Sequence, residues 1–128
     1  MRILVVSSPP LSRLIKHLFE GRPDFEVTTA RGGLKRLAPR IERFGPKLIV
    51  ADVKPVGTNV LQTVRAVKRS SPLSKLILIC PLSTFAGRAR QCGADACLEP
   101  DELVRRLLPA AAMLSFGPAA AISKQTAR

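Results

Sequence analysis

The sequence predicts an α/β fold, a doubly wound parallel sheet of five strands, from three observations. Short β-branched runs alternate with helical patterns through most of the chain, the pattern left by βαβ units. Three of those runs are continuous Ile/Leu/Val segments, as strands covered on both faces must be. The length, 128 residues with 46% hydrophobic content, suits one domain with a sizeable core.

The strands are expected at residues 2–7, 25–29, 47–52, 75–80 and 96–99. Between them, Leu11, Leu14, Ile15, Leu18 and Phe19 recur at helical spacing, followed by a second series of Leu34, Leu37, Ile41 and Phe44. Pro39 should kink or break that second helix. Val60, Val64 and Val67 mark a third helix, and residues 85–92, closed by Gly93, a shorter fourth. A fifth begins after Pro100, with Asp101 and Glu102 in its first turn, where they suit the helix dipole. Residues 109–128 shift to Ala, Gly, Pro, Ser and Lys with two helix breakers, so the domain is placed at 1–108 and a C-terminal tail or linker at 109–128.

Charge and cysteine usage narrow the function classes. Lys plus Arg number 21 against 9 Asp plus Glu, giving a net charge of +12, so an acidic partner is a serious candidate. His17 is the only histidine, and Cys80, Cys92 and Cys97 form no CxxC pattern, so a structural zinc site has no ligand set. The apolar run at residues 3–6 is too short for a secretory signal, and the C-terminal apolar stretch is broken by Pro109, Ser115, Gly117 and Pro118. Reduced thiols and a cytoplasmic location are the expectation. No Gly-x-Gly-x-x-Gly fingerprint and no P-loop lysine motif supports a nucleotide cofactor.

In an open parallel sheet, chemistry gathers at the C-terminal ends of the strands. Four segments close there: Ile3-Leu4-Val5-Val6-Ser7-Ser8, Leu48-Ile49-Val50-Ala51-Asp52, Leu76-Ile77-Leu78-Ile79-Cys80-Pro81 and Gly93-Ala94-Asp95-Ala96-Cys97-Leu98-Glu99-Pro100. Together with the Phe44-Gly45-Pro46-Lys47 lead-in to the third strand, this ordered set resembles the receiver domain of two-component response regulators over roughly residues 1–108. The resemblance implies a flavodoxin-like sheet of strand order 2-1-3-4-5. It also implies a phosphoacceptor, and Asp52 matches that position, although Pro55 lies three residues beyond it where the family's proline usually lies four beyond.

The rest of the family's chemistry is altered at the matching positions. Ser7 and Ser8 stand where an acidic pair helps to hold magnesium, so metal affinity is expected to collapse and no cofactor is expected. Cys80, a weak donor, stands where a Ser or Thr bonds the phosphoryl group. Glu99 matches the phosphoryl-contacting Lys, in a segment one residue short of the family's. Two unit charges about 5 Å apart interact by roughly 3 kcal/mol at an effective dielectric near 20, so this exchange opposes phosphorylation. Cys97 occupies the aromatic switch position. The resemblance therefore implies a degenerate, or pseudo-receiver, domain.

Several residues also carry bland readings. A strand-end Asp is often a turn residue bonded to local backbone, and Glu99 can be a solvated surface carboxylate instead of a cation ligand. His17 lies off the apolar stripe and reads as a solvated helix residue, and packing accounts for Cys92 and Cys97. Lys35, Arg36, Arg40 and Arg43 on the second helix and Arg65, Lys68 and Arg69 on the third form a candidate basic patch, because the receiver topology makes those helices neighbours. With no Trp or Tyr, stacking on single-stranded bases is poorly supported, and no helix-turn-helix module is left over.

The leading expectation is a stand-alone, non-enzymatic signalling module of two-component type that acts by contact with a protein partner, such as a histidine kinase or a second receiver. The alternatives are a true phosphoacceptor regulator using Asp52, and nucleic-acid or polyanion binding through the basic helices.

Overall fold

The structure, a computed structural model, describes residues 1–7, 9–30, 41–52, 60–79 and 94–116. In chain order it contains β1 (Arg2–Val6), α1 (Leu11–Phe19), β2 (Glu26–Ala30), β3 (Leu48–Asp52), α2 (Val60–Ser70), β4 (Lys75–Ile79) and β5 (Ala96–Leu98). A 3-10 turn at Pro100–Glu102 then leads into α3 (Leu103–Phe116). The five strands form one sheet in the order β2-β1-β3-β4-β5, and every neighbouring pair is parallel. The fold class and strand order are those expected. Residues 41–44 are helical and fit the end of the second predicted helix, whose remainder lies outside the described residues, as does the predicted fourth helix.

The strand pleat sorts the side chains into two layers. Leu4, Val6, Ile49, Ala51, Leu76 and Leu78 face one way and pack under Ile41, Val64 and Val67. Ile3, Val5, Leu48, Val50, Ile77 and Ile79 face the other way and meet Ile15 and Phe19 of α1 and Leu103, Leu107 and Ala111 of α3. Alternation with period two explains why uninterrupted apolar runs were needed: each residue of β1, β3 and β4 between its ends is buried on one face or the other. At about 1.5–3 kcal/mol per buried aliphatic side chain, these three strands dominate the folding drive. Phe19 and Phe25 close the α1 side edge to face, with ring centroids 5.1 Å apart.

Local chemistry fixes where the strands begin. Gly45 ends the helical turn at 41–44 in the left-handed region (φ +59°), donating its N–H to the Ile41 carbonyl at 2.9 Å. Only glycine takes that conformation without strain, and the chain then turns through buried Pro46 into β3. The Ser74 hydroxyl donates to the Pro46 carbonyl, tying the start of β4 to the start of β3.

Asp95 is a structural clamp that the sequence reading left without a role. Its N–H donates to the Leu76 carbonyl at 2.9 Å, and its carboxylate accepts the Leu76 N–H at 2.7 Å, which pins the approach to β5 against β4. The same carboxylate accepts from Lys68 Nζ of α2 at 2.7 Å, and Lys68 also donates to the Ser74 carbonyl at 3.0 Å.

Two expectations are corrected here. The stretch from residue 109 was read as tail, yet α3 runs through Pro109 to Phe116, and Ala111 and Ala112 are fully buried. Proline inside a helix forfeits one backbone bond and costs about 3 kcal/mol, and burial of Leu107 and Ala111 on the same stripe offsets it. Lys68, assigned to the basic patch, is half-buried and committed to Asp95. Among the described residues no helix is long and apolar enough to cross a membrane.

Asp95→Asn should destabilise the domain by about 2 kcal/mol, the scale for hydrogen bonds to a charged group that is partly buried. Urea denaturation checks this, and a midpoint unchanged from the parent would show that the clamp carries no stability.

Candidate functional site

The sheet register assembles the C-terminal edge. Val6 pairs with Ala30 on one side and Ala51 on the other, Asp52 pairs with Ile79, and Ile79 pairs with Leu98. Ser7, one residue past Val6, therefore stands beside Asp52 in the next row, with Glu99 one residue beyond Leu98. Ser8 and Cys80 lie outside the described residues.

Ser7 is 1% exposed, and its N–H donates to the Ala30 carbonyl at 3.3 Å, so the β1–β2 ladder continues one residue beyond the strand. Asp52 closes β3 half-buried. Glu99 is the N-cap of the Pro100–Glu102 turn and forms a capping box with Glu102, whose carboxylate accepts the Glu99 N–H at 3.1 Å. Proline follows at the first position of the turn, where its missing N–H costs nothing. Glu99 is thus a local structural group. Glu-Pro-Asp-Glu, with proline after the cap and Glu three residues after it, was the signal for this role, but the sequence reading assigned only Asp101 and Glu102 to the first turn.

Arg106 Nη1 donates to the other Glu102 oxygen at 2.6 Å. The Arg106 guanidinium, with the Glu99 N–H, holds the Glu102 carboxyl below the usual carboxylate range. A lowered carboxylate contributes stability above its ordinary pKa and loses it as pH falls through the lowered value.

On this geometry, the chain is similar to solved structures of response regulators, among others. The Salmonella typhimurium RcsB response regulator superimposes with a TM-score of 0.79 at 14% identity, covering 97% of this chain and 65% of that one. The signal receiver domain of a LuxO repressor protein from Vibrio parahaemolyticus gives 0.76 at 21% identity, covering 98% and 95%. The chain has the receiver fold. A Burkholderia pseudomallei response regulator carrying a phosphorylated aspartic acid and a calcium ion gives 0.69 at 17% identity, covering 98% and 71%. No family model and no curated protein sequence matches the chain.

A receiver fold raises the question of a divalent cation at this edge. The described donors are the Asp52 carboxylate and a buried Ser7 hydroxyl, with Glu99 engaged in its cap. Magnesium takes hard, mostly anionic oxygen ligands in octahedral array, and this donor set does not fit it. Among the described residues no three His, Cys, Asp or Glu side chains cluster as a metal site.

The remaining candidates fall in several places on the receiver fold. Cys97 is half-buried on β5 and packs against the layer that includes Leu76 and Leu78. His17 is exposed on α1, with Nδ1 3.1 Å from the Glu20 carboxylate. Of the basic patch, Arg43, Arg65 and Arg69 are exposed, Lys68 is spent in the clamp, and Lys35, Arg36 and Arg40 lie outside the described residues.

Millimolar magnesium should leave the amide NMR signals of Ser7 and Asp52 in place, whereas saturable shifts at both would restore a cation site. Glu102→Gln should flatten the acid limb of a stability-versus-pH curve, by a small amount because the pair is exposed. An acid limb identical to the parent's would remove Glu102 as its source.

Proposed function

We propose that the chain is a signalling module of two-component type that works by protein contact in the cytoplasm, without catalysis and without ordinary phosphorelay chemistry. The observation that carries the reading is at the C-terminal edge: beside Asp52, which matches the family's phosphoacceptor in sequence, stands a buried residue with a hydroxyl, Ser7, where a cation would be served by a carboxylate. The Burkholderia pseudomallei neighbour holds a phosphorylated aspartic acid and a calcium ion. Phosphoryl transfer is catalysed chiefly by positioned cations that neutralise charge on the transferring group, so an edge whose described residues offer a cation only one carboxylate outside the cap, Asp52, is poorly equipped for it.

Glu99 supports the same reading. It occupies the position matched to the family's phosphoryl-contacting cation, and its capping box with Glu102 gives an acidic side chain a structural reason to be there. A module of this kind signals through its surface, to a partner such as a histidine kinase or another receiver. The polyanion reading is weaker, because the patch loses Lys68 to Asp95.

The test is incubation of the full chain with a small acyl phosphate and magnesium, followed by intact mass. The expected result is no phosphoryl adduct. An adduct that disappears in Asp52→Asn would overturn the proposal and establish a phosphoacceptor.

A further inference from the structure

We propose that the outer edge of β2, with the groove between it and the end of α1, takes up an extended acidic segment of a partner protein as an added strand. β2 stands at the end of the sheet, and among the described residues no strand lies beyond it. The groove measures 410 Å³, and every residue that lines it falls within the described stretch 9–30. Phe19, Phe25 and Val27 give it an apolar floor, and Lys16, Glu20 and Arg22 are exposed around it.

Three observations bear on the occupant. The first is the direction of the backbone. The Glu26 N–H donates to the Met1 carbonyl at 2.7 Å, and the Ala30 carbonyl accepts from the Ser7 N–H at 3.3 Å, so both ends of β2 turn these groups toward β1. In a parallel ladder alternate residues do so, which aims the N–H and C=O of Val27 and Thr29 away from the sheet. Such groups find partners only in water or in another strand.

The second is the sequence of the edge. Exposed edges are commonly blunted by Pro, Lys or Arg, and Glu26–Ala30 contains none of them. Its one charge, Glu26, stands at the first position, 4.0 Å from Arg2. Val27, Thr28 and Thr29 that follow are strong strand formers.

The third is charge combined with shape. An added strand lies about 4.8 Å from its neighbour and directs every second side chain to the same face. Val27 is in register with Ile3, which packs on the α1 face, so a residue added beside Val27 directs its side chain toward the groove. Residues two positions to either side share that face with Lys16 and Arg22. Neither cation takes part in an ion pair among the described residues, and Glu20 lies 3.1 Å from the His17 ring. The groove thus favours an apolar side chain flanked by acids. A second copy of this chain would set Lys16 and Arg22 near their own counterparts, with a net charge of +12 on each copy.

This inference does not rest on the signalling reading, since none of its residues lies on β3 or β5: an adduct at Asp52 would overturn that reading and leave this surface as it is. The experiment titrates the full, isotope-labelled chain with the capped peptide Thr-Asp-Thr-Leu-Thr-Asp-Thr, whose leucine and two acids share one face of a strand. Saturable amide NMR shifts are expected at Val27 and Thr29. At saturation these two amides should exchange with solvent roughly tenfold more slowly, while those of Glu26, Thr28 and Ala30 keep their rates. Such alternation is produced by an added strand and not by charge attraction alone. Lys16→Gln/Arg22→Gln should weaken binding about fivefold, the scale of two exposed ion pairs, whereas Arg65→Gln/Arg69→Gln, which removes the same charge elsewhere, should leave it unchanged. Thr29→Pro deletes an outward N–H that the sheet does not use and should weaken binding by a similar factor. The four Gln exchanges are at exposed positions and keep the test if Thr29→Pro does not fold. The proposal is overturned by the absence of saturable shifts, or by equal binding of the peptide with lysines in place of its acids or N-methylated at its three central residues. Equal weakening in both double variants, or protection of Val27 and Thr29 in a dimer of the chain without peptide, overturns it as well.

Discussion

Burial of both faces of the central strands is the constraint from which the rest of this structure follows. Because β1, β3 and β4 carry apolar side chains on both faces, helices must cover the sheet above and below, and their backbone polar groups are satisfied only within the sheet. Polar side chains are then confined to the strand ends. At the N-terminal ends the chain uses them for assembly: Ser74 reaches the Pro46 carbonyl, and Asp95 joins β4 to α2 through Lys68. The C-terminal ends are left for Ser7, Asp52 and the approach to Glu99. Division of labour between the two edges is thus a consequence of the core and precedes any particular chemistry.

Much of this was legible from local pattern. The five strands lie within a residue or two of their expected ends, because continuous Ile/Leu/Val runs bounded by polar residues admit little else. Ser7 illustrates the residual error: its N–H still bonds the Ala30 carbonyl, so the expected strand end differs from the observed one only in how the last rung is counted. The neighbourhood of Ser7 and Asp52 was also legible, since strand order and register follow once the fold is known. Pro109 was not. A proline followed by small residues looks like the end of a domain, and only tertiary burial of Ala111 and Ala112 keeps the helix going. The Asp95–Lys68 pair joins residues 27 apart in sequence, a separation that no window of local periodicity spans.

The distribution of the acids explains how a net charge of +12 becomes local. Among the described residues Glu26 pairs with Arg2, Asp95 with Lys68 and Lys75, and Glu102 with Arg106, while Glu20 lies 3.1 Å from the His17 ring. Carboxylates committed to neighbouring cations or caps do little for more distant ones, since screening at physiological salt limits exposed charges to about 8 Å. Arg13 and Lys16 on α1 and Arg65 and Arg69 on α2 are exposed and have no ion-pair partner among the described residues, so the excess positive charge lies on the helix surfaces.

Ser7 connects these two themes. At 1% exposure, a carboxylate in its place would be a buried anion beside Asp52, and burying unpaired like charges costs several kcal/mol unless a cation compensates. A hydroxyl is neutral and needs only a hydrogen bond, so Ser7 is buried at this edge without calling for a compensating cation.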